Sequence, residues 1–249
     1  MLGRAISYPK EGAGGWKTIG IGGVLLFPLV AIFLIPMLLA MGYLVRATDA
    51  AVRGADAPAF GDWGDLLVDG IKLFVVGLVY FIVPTVLYFV GFVLTVESFP
   101  TNPPTTAQTA PEVGSAGLTG PLLLLVSFLL FLVIGYFTPA GVANFAYKDR
   151  LGAAFSVGEV VDTAIDSDYF VALLLVVLLN VGLGIVVIVL TLLTFGIFYV
   201  AFVLLGSFVQ FYLQVASLYL VGRGYARSRG IDRDRSAGPT ADVADPRVE

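Results

Sequence analysis

The residues best suited to chemistry in this chain are carboxylates that recur at helical spacing. They form two acidic sets, each with members three and then four residues apart: Asp62, Asp65 and Asp69, and Glu159, Asp162 and Asp166. Residues at this spacing share one face of a helix. Such a face could collect cations or dock a basic partner. In an acidic protein, carboxylates that face water on a surface helix need no further role, and we favour this interpretation.

A second group of candidates consists of uncharged polar side chains within long apolar runs. Ser207, Gln210, Gln214 and Ser217 are spaced 3, 4 and 3 residues apart, and Asn180 lies in the preceding run. Small and polar residues at helical spacing let helices pack closely and hydrogen-bond in lipid, and we favour this packing role. The alternative is a polar pathway for a small solute, lined by these side chains.

Composition excludes several kinds of active site. The chain contains no histidine and no cysteine, which removes imidazole bases, thiolate nucleophiles and the commonest zinc and haem ligands. Gly20, Gly22 and Gly23 form GxGG rather than the GxGxxG of a nucleotide loop, and no lysine-bearing phosphate loop occurs. We therefore expect no enzymatic activity, no cofactor and no metal site. The scattered basic residues also predict no nucleic-acid partner.

Membrane helices must position these side chains. Hydrophobic residues make up 58% of the chain and the mean hydropathy is +0.95, which is far above the range of an ordinary soluble domain. A helix needs about 20 apolar residues to cross a bilayer core. The sequence predicts an all-α, polytopic transmembrane helical bundle. Its five hydrophobic segments lie at about 18–46, 72–97, 121–147, 169–190 and 196–222, with a turn at 191–196 between the last two.

The transmembrane helical domain, 18–225, is flanked by a polar N-terminal segment, 1–17, and a C-terminal tail, 226–249, that we expect to be disordered. Residues 98–120, rich in proline and threonine, predict a flexible external loop. Two linkers, 47–71 and 147–168, resemble each other when one is slid by 97 residues, which superimposes the acidic sets. Each linker predicts a short amphipathic helix on the membrane surface, and the chain has the pattern of a duplicated unit.

Basic residues predict the orientation of the chain. They flank both linkers and follow the last segment, whereas residues 98–120 contain none, so the positive-inside tendency places the linkers and the C-terminus in the cytoplasm. A single first span would then leave Arg4, Lys10 and Lys17 outside. Alternatively, residues 18–45, interrupted by Pro28 and Pro36, could form a re-entrant or hairpin segment that returns to the cytoplasmic side. The sequence leaves both paths open.

Several short motifs carry a family resemblance. They are Tyr8-Pro9 with Trp16-Lys17, Ile21-Gly22-Gly23, Gly42-Tyr43-Leu44-Val45-Arg46, and Asp69-Gly70-Ile71-Lys72 with Tyr80 and Pro84. Through them the chain resembles an uncharacterised family of archaeal polytopic membrane proteins, abundant in haloarchaea and known only as a domain of unknown function. The resemblance implies no activity and no site residues. The acidic composition, with four lysines against ten arginines, also favours a salt-adapted, halophilic archaeal protein.

These observations predict a multi-pass protein of the plasma membrane that acts as a scaffold or assembly partner through its cytoplasmic linkers and tail. Its partners would be the lipid bilayer and either a second copy of the chain or another membrane protein. The alternative is a passive channel or facilitator for a small solute, lined by Asn180, Gln210 and Gln214.

Overall fold

The regular structure of the described chain is entirely helical. A computed structural model describes residues 1–97 and 115–232, and these residues contain no strand. The all-α prediction is confirmed. The helices are α1 (Leu2–Glu11), α2 (Gly15–Leu25), α3 (Pro28–Ala31), α4 (Leu34–Val52), α5 (Trp63–Glu97), α6 (Ser115–Lys148), α7 (Val157–Ala164), α8 (Ser167–Leu193) and α9 (Ile197–Ser228), with a 3-10 helix at Leu151–Phe155.

Five helical stretches of the described residues are long and apolar enough to cross a membrane. They are Leu34–Val52, Trp63–Val96, Gly117–Lys148, Ser167–Leu193 and Leu205–Ser228. The most apolar window of α8 has a mean hydropathy of 3.1 and is not buried within the protein at all. Soluble proteins do not expose continuous apolar surface on this scale, whereas lipid covers it at no cost. The helices therefore indicate a multi-pass membrane protein in contact with a lipid bilayer.

The chain divides into two compact units. The first comprises the described parts of Met1–Phe74 and Ala140–Glu249, and the second comprises the described part of Val75–Pro139. The first unit therefore contains both ends of the described chain, the two linkers and α8 with α9.

The second unit is an antiparallel pair formed by parts of α5 and α6. The hydroxyl of Ser127 donates a hydrogen bond to the carbonyl of Pro84 at 2.8 Å, and the rings of Phe81 and Phe131 stack with centroids 6.0 Å apart. Serine–carbonyl bonds of this kind hold helices together in lipid, where water does not compete. Pro84 and Pro139 lie inside helices.

The first hydrophobic segment is a hairpin. The backbone N–H of Ala13, before α2, donates to the carbonyl of Ala57, after α4, at 3.0 Å. The two ends of the segment therefore lie next to each other. α2 alone has 11 residues, a length of about 16 Å, and is too short to cross a bilayer. Phe27 breaks the helix because a residue before proline disfavours the helical conformation, and Pro28 then starts α3. Of the two paths left open, the structure shows the returning one.

Both arms of this hairpin pack on α9. A Cβ atom on Gly22 would lie 2.2 Å from the Phe211 ring, and one on Gly23 would lie 2.2 Å from the Phe208 ring. Only glycine permits this close approach of α2 to α9. On the other arm, the ring of Tyr43 lies 5.4 Å from that of Phe211. The contacts explain why a glycine-rich segment forms part of the core.

The last two long helices form a second hairpin. α8 ends at Leu193 and α9 begins at Ile197, so the turn falls within the predicted 191–196. Phe195 and Gly196 turn the chain through positive φ angles of 51° and 88°, which glycine adopts without strain. α9 continues to Ser228, six residues beyond the predicted end of this segment. The rest of the predicted tail, 233–249, lies outside the described residues, as do residues 98–114 of the predicted external loop.

The polar N-terminal segment contains a helix that the sequence analysis did not predict. α1 is amphipathic, with Ala5 and Tyr8 buried and Arg4, Lys10 and Glu11 exposed. The Tyr8 ring lies 4.5 Å from the Tyr219 ring. Burial raises the pKa of the Tyr8 hydroxyl, which keeps it protonated as a donor to the Ala47 carbonyl at 3.2 Å.

Only the second linker contains the separate short helix that the sequence predicted for each linker. In the second, the 3-10 helix and α7 form a separate short helical segment before α8. In the first, residues 53–62 contain no helix and α5 begins at Trp63, nine residues before the predicted start of the second segment. Asp65 and Asp69 therefore lie on the first turns of a membrane helix. The helix extends past its apolar run because Asp69 finds cationic partners there.

Candidate functional site

Charged side chains collect at one end of the first unit. We call this the polar end: it comprises the C-terminal turns of α4, α6 and α9 and the two linkers, 47–71 and 147–168, which include the first turns of α5 and the whole of α7. Its parts are joined by side-chain contacts across long sequence separations. These contacts form the candidate site.

A chain of ion pairs connects three helix ends. The guanidinium of Arg46 on α4 lies 3.3 Å from the carboxylate of Asp69 on α5. The ammonium of Lys72 lies 3.3 Å from Asp69 and 3.1 Å from Asp149, which directly follows α6. These side chains are partly exposed except for Asp149, which is largely exposed. Such pairs contribute less than about 1 kcal/mol each, so their effect is on orientation more than on stability.

Arg53 joins the first linker to the end of α6. Its guanidinium donates to the carbonyl of Tyr147 at 3.0 Å and to the carboxylate of Asp49 at 2.7 Å. It also lies 4.9 Å from the centroid of the Tyr147 ring, a cation–π distance. One arginine thus satisfies a carbonyl at the C-terminal end of α6, where the helix leaves carbonyls unpaired.

A buried amide is the centre of the second linker. Asn144 on α6 is fully buried. Its Nδ2 donates to the Ala153 carbonyl at 2.8 Å and to the Glu159 carboxylate at 2.7 Å. Its Oδ1 accepts a hydrogen bond of 2.7 Å from the hydroxyl of Tyr225, which is also buried. Both donors and the acceptor of the amide are therefore used, and α6, the 3-10 helix, α7 and α9 are joined through one side chain.

Glu159 extends this network to two cations. The ammonium of Lys148 lies 2.5 and 2.6 Å from the two carboxylate oxygens, and the guanidinium of Arg229 lies 3.7 Å from one of them. The hydrogen bond from Lys148, followed by the one from Asn144, lowers the pKa of Glu159. The carboxylate is therefore held in its charged form, as a structural anchor for α7.

The two acidic sets divide into engaged and free members. Asp69 and Glu159 form ion pairs, and Asp166 caps α8 by accepting from the backbone N–H of Asp168 at 2.8 Å. The other three are exposed, and within the described part of the chain their side chains form no hydrogen bond or ion pair: Asp62, Asp65 and Asp162. The structure thus brings both sets to the polar end and leaves three carboxylates available there.

The uncharged polar candidates on α8 and α9 also have different environments. Asn180 donates to the Val176 carbonyl at 2.9 Å and to the hydroxyl of Ser217 at 3.1 Å, which joins the two helices. Gln210 is exposed. Among the described residues, the hydroxyl of Ser207 and the side-chain carbonyl of Gln214 are buried without a hydrogen-bond partner. A groove of about 540 Å³ between α8 and α9 includes none of the five and has an almost wholly apolar lining.

Asn144, Lys148 and Tyr225 were not predicted as site residues. A signal was present, since an amide four residues before a lysine at the end of an apolar run places two polar groups on one helix face. The partner Tyr225 lies 81 residues away in sequence, which no local pattern reveals.

The described residues contain no group of three or more carboxylates that could hold a metal ion. No curated protein and no solved structure matches the chain. A family model described as "Protein of unknown function (DUF4013)" matches residues 25–193, from the end of α2 to the end of α8. Because this match covers more than half of the chain, the protein belongs to the DUF4013 family.

Proposed function

We propose that this protein is a non-enzymatic scaffold or assembly partner of the plasma membrane that docks a basic partner at its polar end. The supporting observation is the contrast among its carboxylates. Asp69, Glu159 and Asp166 are engaged in fixing the helix ends, whereas Asp62 and Asp65 remain exposed on the surface that those contacts make rigid. A preorganised acidic surface loses little entropy when a partner binds.

The orientation of this surface follows from the basic residues. The hairpin of α2 and α4 returns the chain to the polar end, so Arg4, Lys10 and Lys17 no longer conflict with the positive-inside tendency. We place the polar end and the C-terminus in the cytoplasm on this basis. The acidic, lysine-poor composition supports a salt-adapted archaeal membrane as the setting.

Photo-crosslinking tests the scaffold proposal directly. A photoreactive amino acid would replace Asp65 or Asp162, both exposed at the polar end, and a matched control would replace Val177, which is 49% exposed on the apolar surface of α8. After irradiation of native membranes, we expect a discrete protein adduct from the first two positions and none from the third. An adduct of twice the chain mass would identify a second copy as the partner.

Charge reversal makes this experiment specific. If a basic partner binds, Asp62→Lys should abolish the adduct formed from position 65, whereas Asp62→Asn should weaken it. Absence of any adduct at positions 65 and 162, or the same adducts at 177, would overturn the proposal.

A second candidate, a passive facilitator for a small solute, is supported by one observation. The unpaired oxygens of Ser207 and Gln214 are seven residues apart on α9 and so share a face. Against it, Asn180 is occupied by Ser217 rather than open to a pathway. Swelling of proteoliposomes in small polyols discriminates: a facilitator predicts swelling that Gln214→Leu reduces, whereas a scaffold predicts none above empty vesicles.

A further inference from the structure

An open pocket lies beside the start of α2, within the first unit. Its volume is about 400 Å³. Its largest lining residues are Trp16, Lys17 and Phe60. The remaining lining residues are Ala13, Gly14, Thr18, Ile21 and Ala59. The lining contains no carboxylate, and Lys17 is the one charged residue among the described residues that line it.

Tryptophan marks the level of this pocket in the membrane. The chain has two tryptophans, and both lie at helix starts at the polar end: Trp16 is the second residue of α2 and Trp63 is the first of α5. Both are exposed, by 71% and 48%. Phe60 joins them, since it lines the pocket with Trp16 and stacks on Trp63 at 5.8 Å. Exposed tryptophan at the start of a membrane helix is typical of the headgroup region of a bilayer.

Lys17 supplies an uncompensated positive charge at this level. It is exposed, and its side chain forms no ion pair or hydrogen bond with any described residue. Lys72, near the start of α5, is by contrast held by two carboxylates. An ammonium at the headgroup level attracts anionic lipid, with a free energy that corresponds to a preference of about fivefold per cation.

We propose that this pocket binds the phosphate headgroup of an anionic membrane lipid, with Lys17 as the cationic contact and Trp16 and Phe60 as the aromatic walls. Ile21, one turn further along α2, continues the wall in apolar form towards the bilayer interior. The lipid would fill the space beside the start of the hairpin. It would hold α2 at the level of the headgroups.

Tryptophan fluorescence tests this proposal in the full-length protein. The Trp63→Phe variant keeps an aromatic ring against Phe60 and leaves Trp16 as the single reporter. The protein would be reconstituted in phosphatidylcholine vesicles that contain increasing fractions of dibrominated phosphatidylglycerol or, separately, dibrominated phosphatidylcholine. Bromine quenches tryptophan on contact, so the two curves report the relative occupancy beside Trp16. We expect about fivefold preference for the anionic lipid.

Lysine variants decide whether the preference belongs to the pocket. Lys17→Gln should reduce the ratio to about one, and Lys17→Arg should retain it. Lys10→Gln is the matched control, because Lys10 is also exposed but lies on α1 and does not line the pocket; it should leave the ratio unchanged. Two results would overturn the proposal: a ratio of anionic to zwitterionic lipid near one when Lys17 is intact, or an equal loss of preference with Lys10→Gln and Lys17→Gln. Helical circular dichroism of each variant verifies that it is folded.

Discussion

The two linkers of the polar end carry the same acidic spacing and use it differently. In the first, α5 runs unbroken through Asp65 and Asp69, and Asp69 pairs with cations on α4 and α5. In the second, the chain breaks between α7 and α8, and Asp166, which occupies the position equivalent to Asp69, caps the new helix. Glu159 forms the centre of an ion-pair cluster, whereas its equivalent, Asp62, is free.

The difference originates on the preceding helices. α4 ends at Val52 and α6 ends at Lys148, 96 residues later, which agrees with the 97-residue offset of the acidic sets. At that offset, Asn144 and Lys148 correspond to Ala47 and Ala51. The first linker therefore lacks the two groups that hold Glu159 in the second.

Packing explains why alanine occupies those two positions. Ala47 and Ala51 are fully buried. The Ala47 carbonyl accepts the hydrogen bond of Tyr8 from α1, and Ala51 lies against Gly222 of α9, within 2.8 Å of where a Cβ atom there would be. At these positions α4 packs closely against α1 and α9. At the equivalent positions of α6, Asn144 and Lys148 form a polar network instead. A repeated spacing therefore identifies equivalent positions without identifying equivalent roles.

The largest expected effect concerns the side of the membrane on which each linker lies. Both linkers should emerge on the same side of the membrane, because the contacts of Arg53 join them. The chain contains no cysteine, so single cysteines can be introduced at Ser7, Ala55, Ser156 and Ser115 without background. An impermeant thiol reagent applied to intact cells should label position 115 alone, because α6 is 34 residues long, about 50 Å, and exceeds the bilayer core. Labelling at 55 but not 156 would refute the shared side.

The next largest effect should come from the buried amide. Asn144→Ala removes three hydrogen bonds: the buried Tyr225 hydroxyl loses its Asn144 acceptor, and the Ala153 carbonyl keeps only the backbone N–H of Ser156, at 3.3 Å. We expect the free energy of unfolding to fall by about 1–3 kcal/mol, the usual cost when a buried polar group loses its hydrogen-bond partner. The measurement is unfolding in mixed micelles of increasing dodecyl sulfate content.

Asn180→Ala is the matched control for this substitution. It removes the same side chain from an exposed helix contact, which should cost about 0.6 kcal/mol. Equal losses at the two positions would mean that the second linker does not depend on the network.

A smaller effect should depend on pH. The folded pKa of Glu159 is lowered by Lys148 and Asn144, so its contribution is present above the ordinary carboxyl pKa of about 4.3 and is lost as the pH falls through the folded value. Glu159→Gln should therefore reduce stability by less than about 1 kcal/mol at pH 7, given the partial exposure of the pair. The difference from the unmodified protein should vanish well below pH 4, and a difference that persisted there would assign the effect to packing instead.

The sequence predicted the helical class, the five apolar segments and the turn between the last two, because these depend on local hydropathy and length. It left the path of residues 18–45 open, since the contact that decides it joins Ala13 to Ala57 and no local pattern shows such a pair. α1 was missed for a related reason. Its apolar side is buried only because α4 and α9 provide Ala47 and Tyr219 to receive it.

The candidate site was predicted only in part. The spacing of the acidic sets predicts the two linkers, 47–71 and 147–168, but spacing does not reveal which carboxylates find cations. Asp65 and Asp162 are equivalent and free, whereas Asp69 and Glu159 are engaged through residues on other helices. Whether a carboxylate pairs with a cation depends on tertiary packing. This pairing separates the carboxylates that fix the structure from those that remain available to a partner.

The smallest expected effect on stability is therefore the most informative about function. Asp65→Asn and Asp162→Asn remove exposed charges without intramolecular partners, and each should change the free energy of unfolding by less than about 0.5 kcal/mol. Asp69→Asn, which breaks two ion pairs, should lower it by up to about 1 kcal/mol per pair. If the free carboxylates bind a partner, the first two variants should weaken cross-linking from a photoreactive residue placed at position 62. They should leave the free energy of unfolding unchanged. A stability loss at Asp65 or Asp162 as large as that at Asp69 would instead place them in the structural network and remove the basis for docking there.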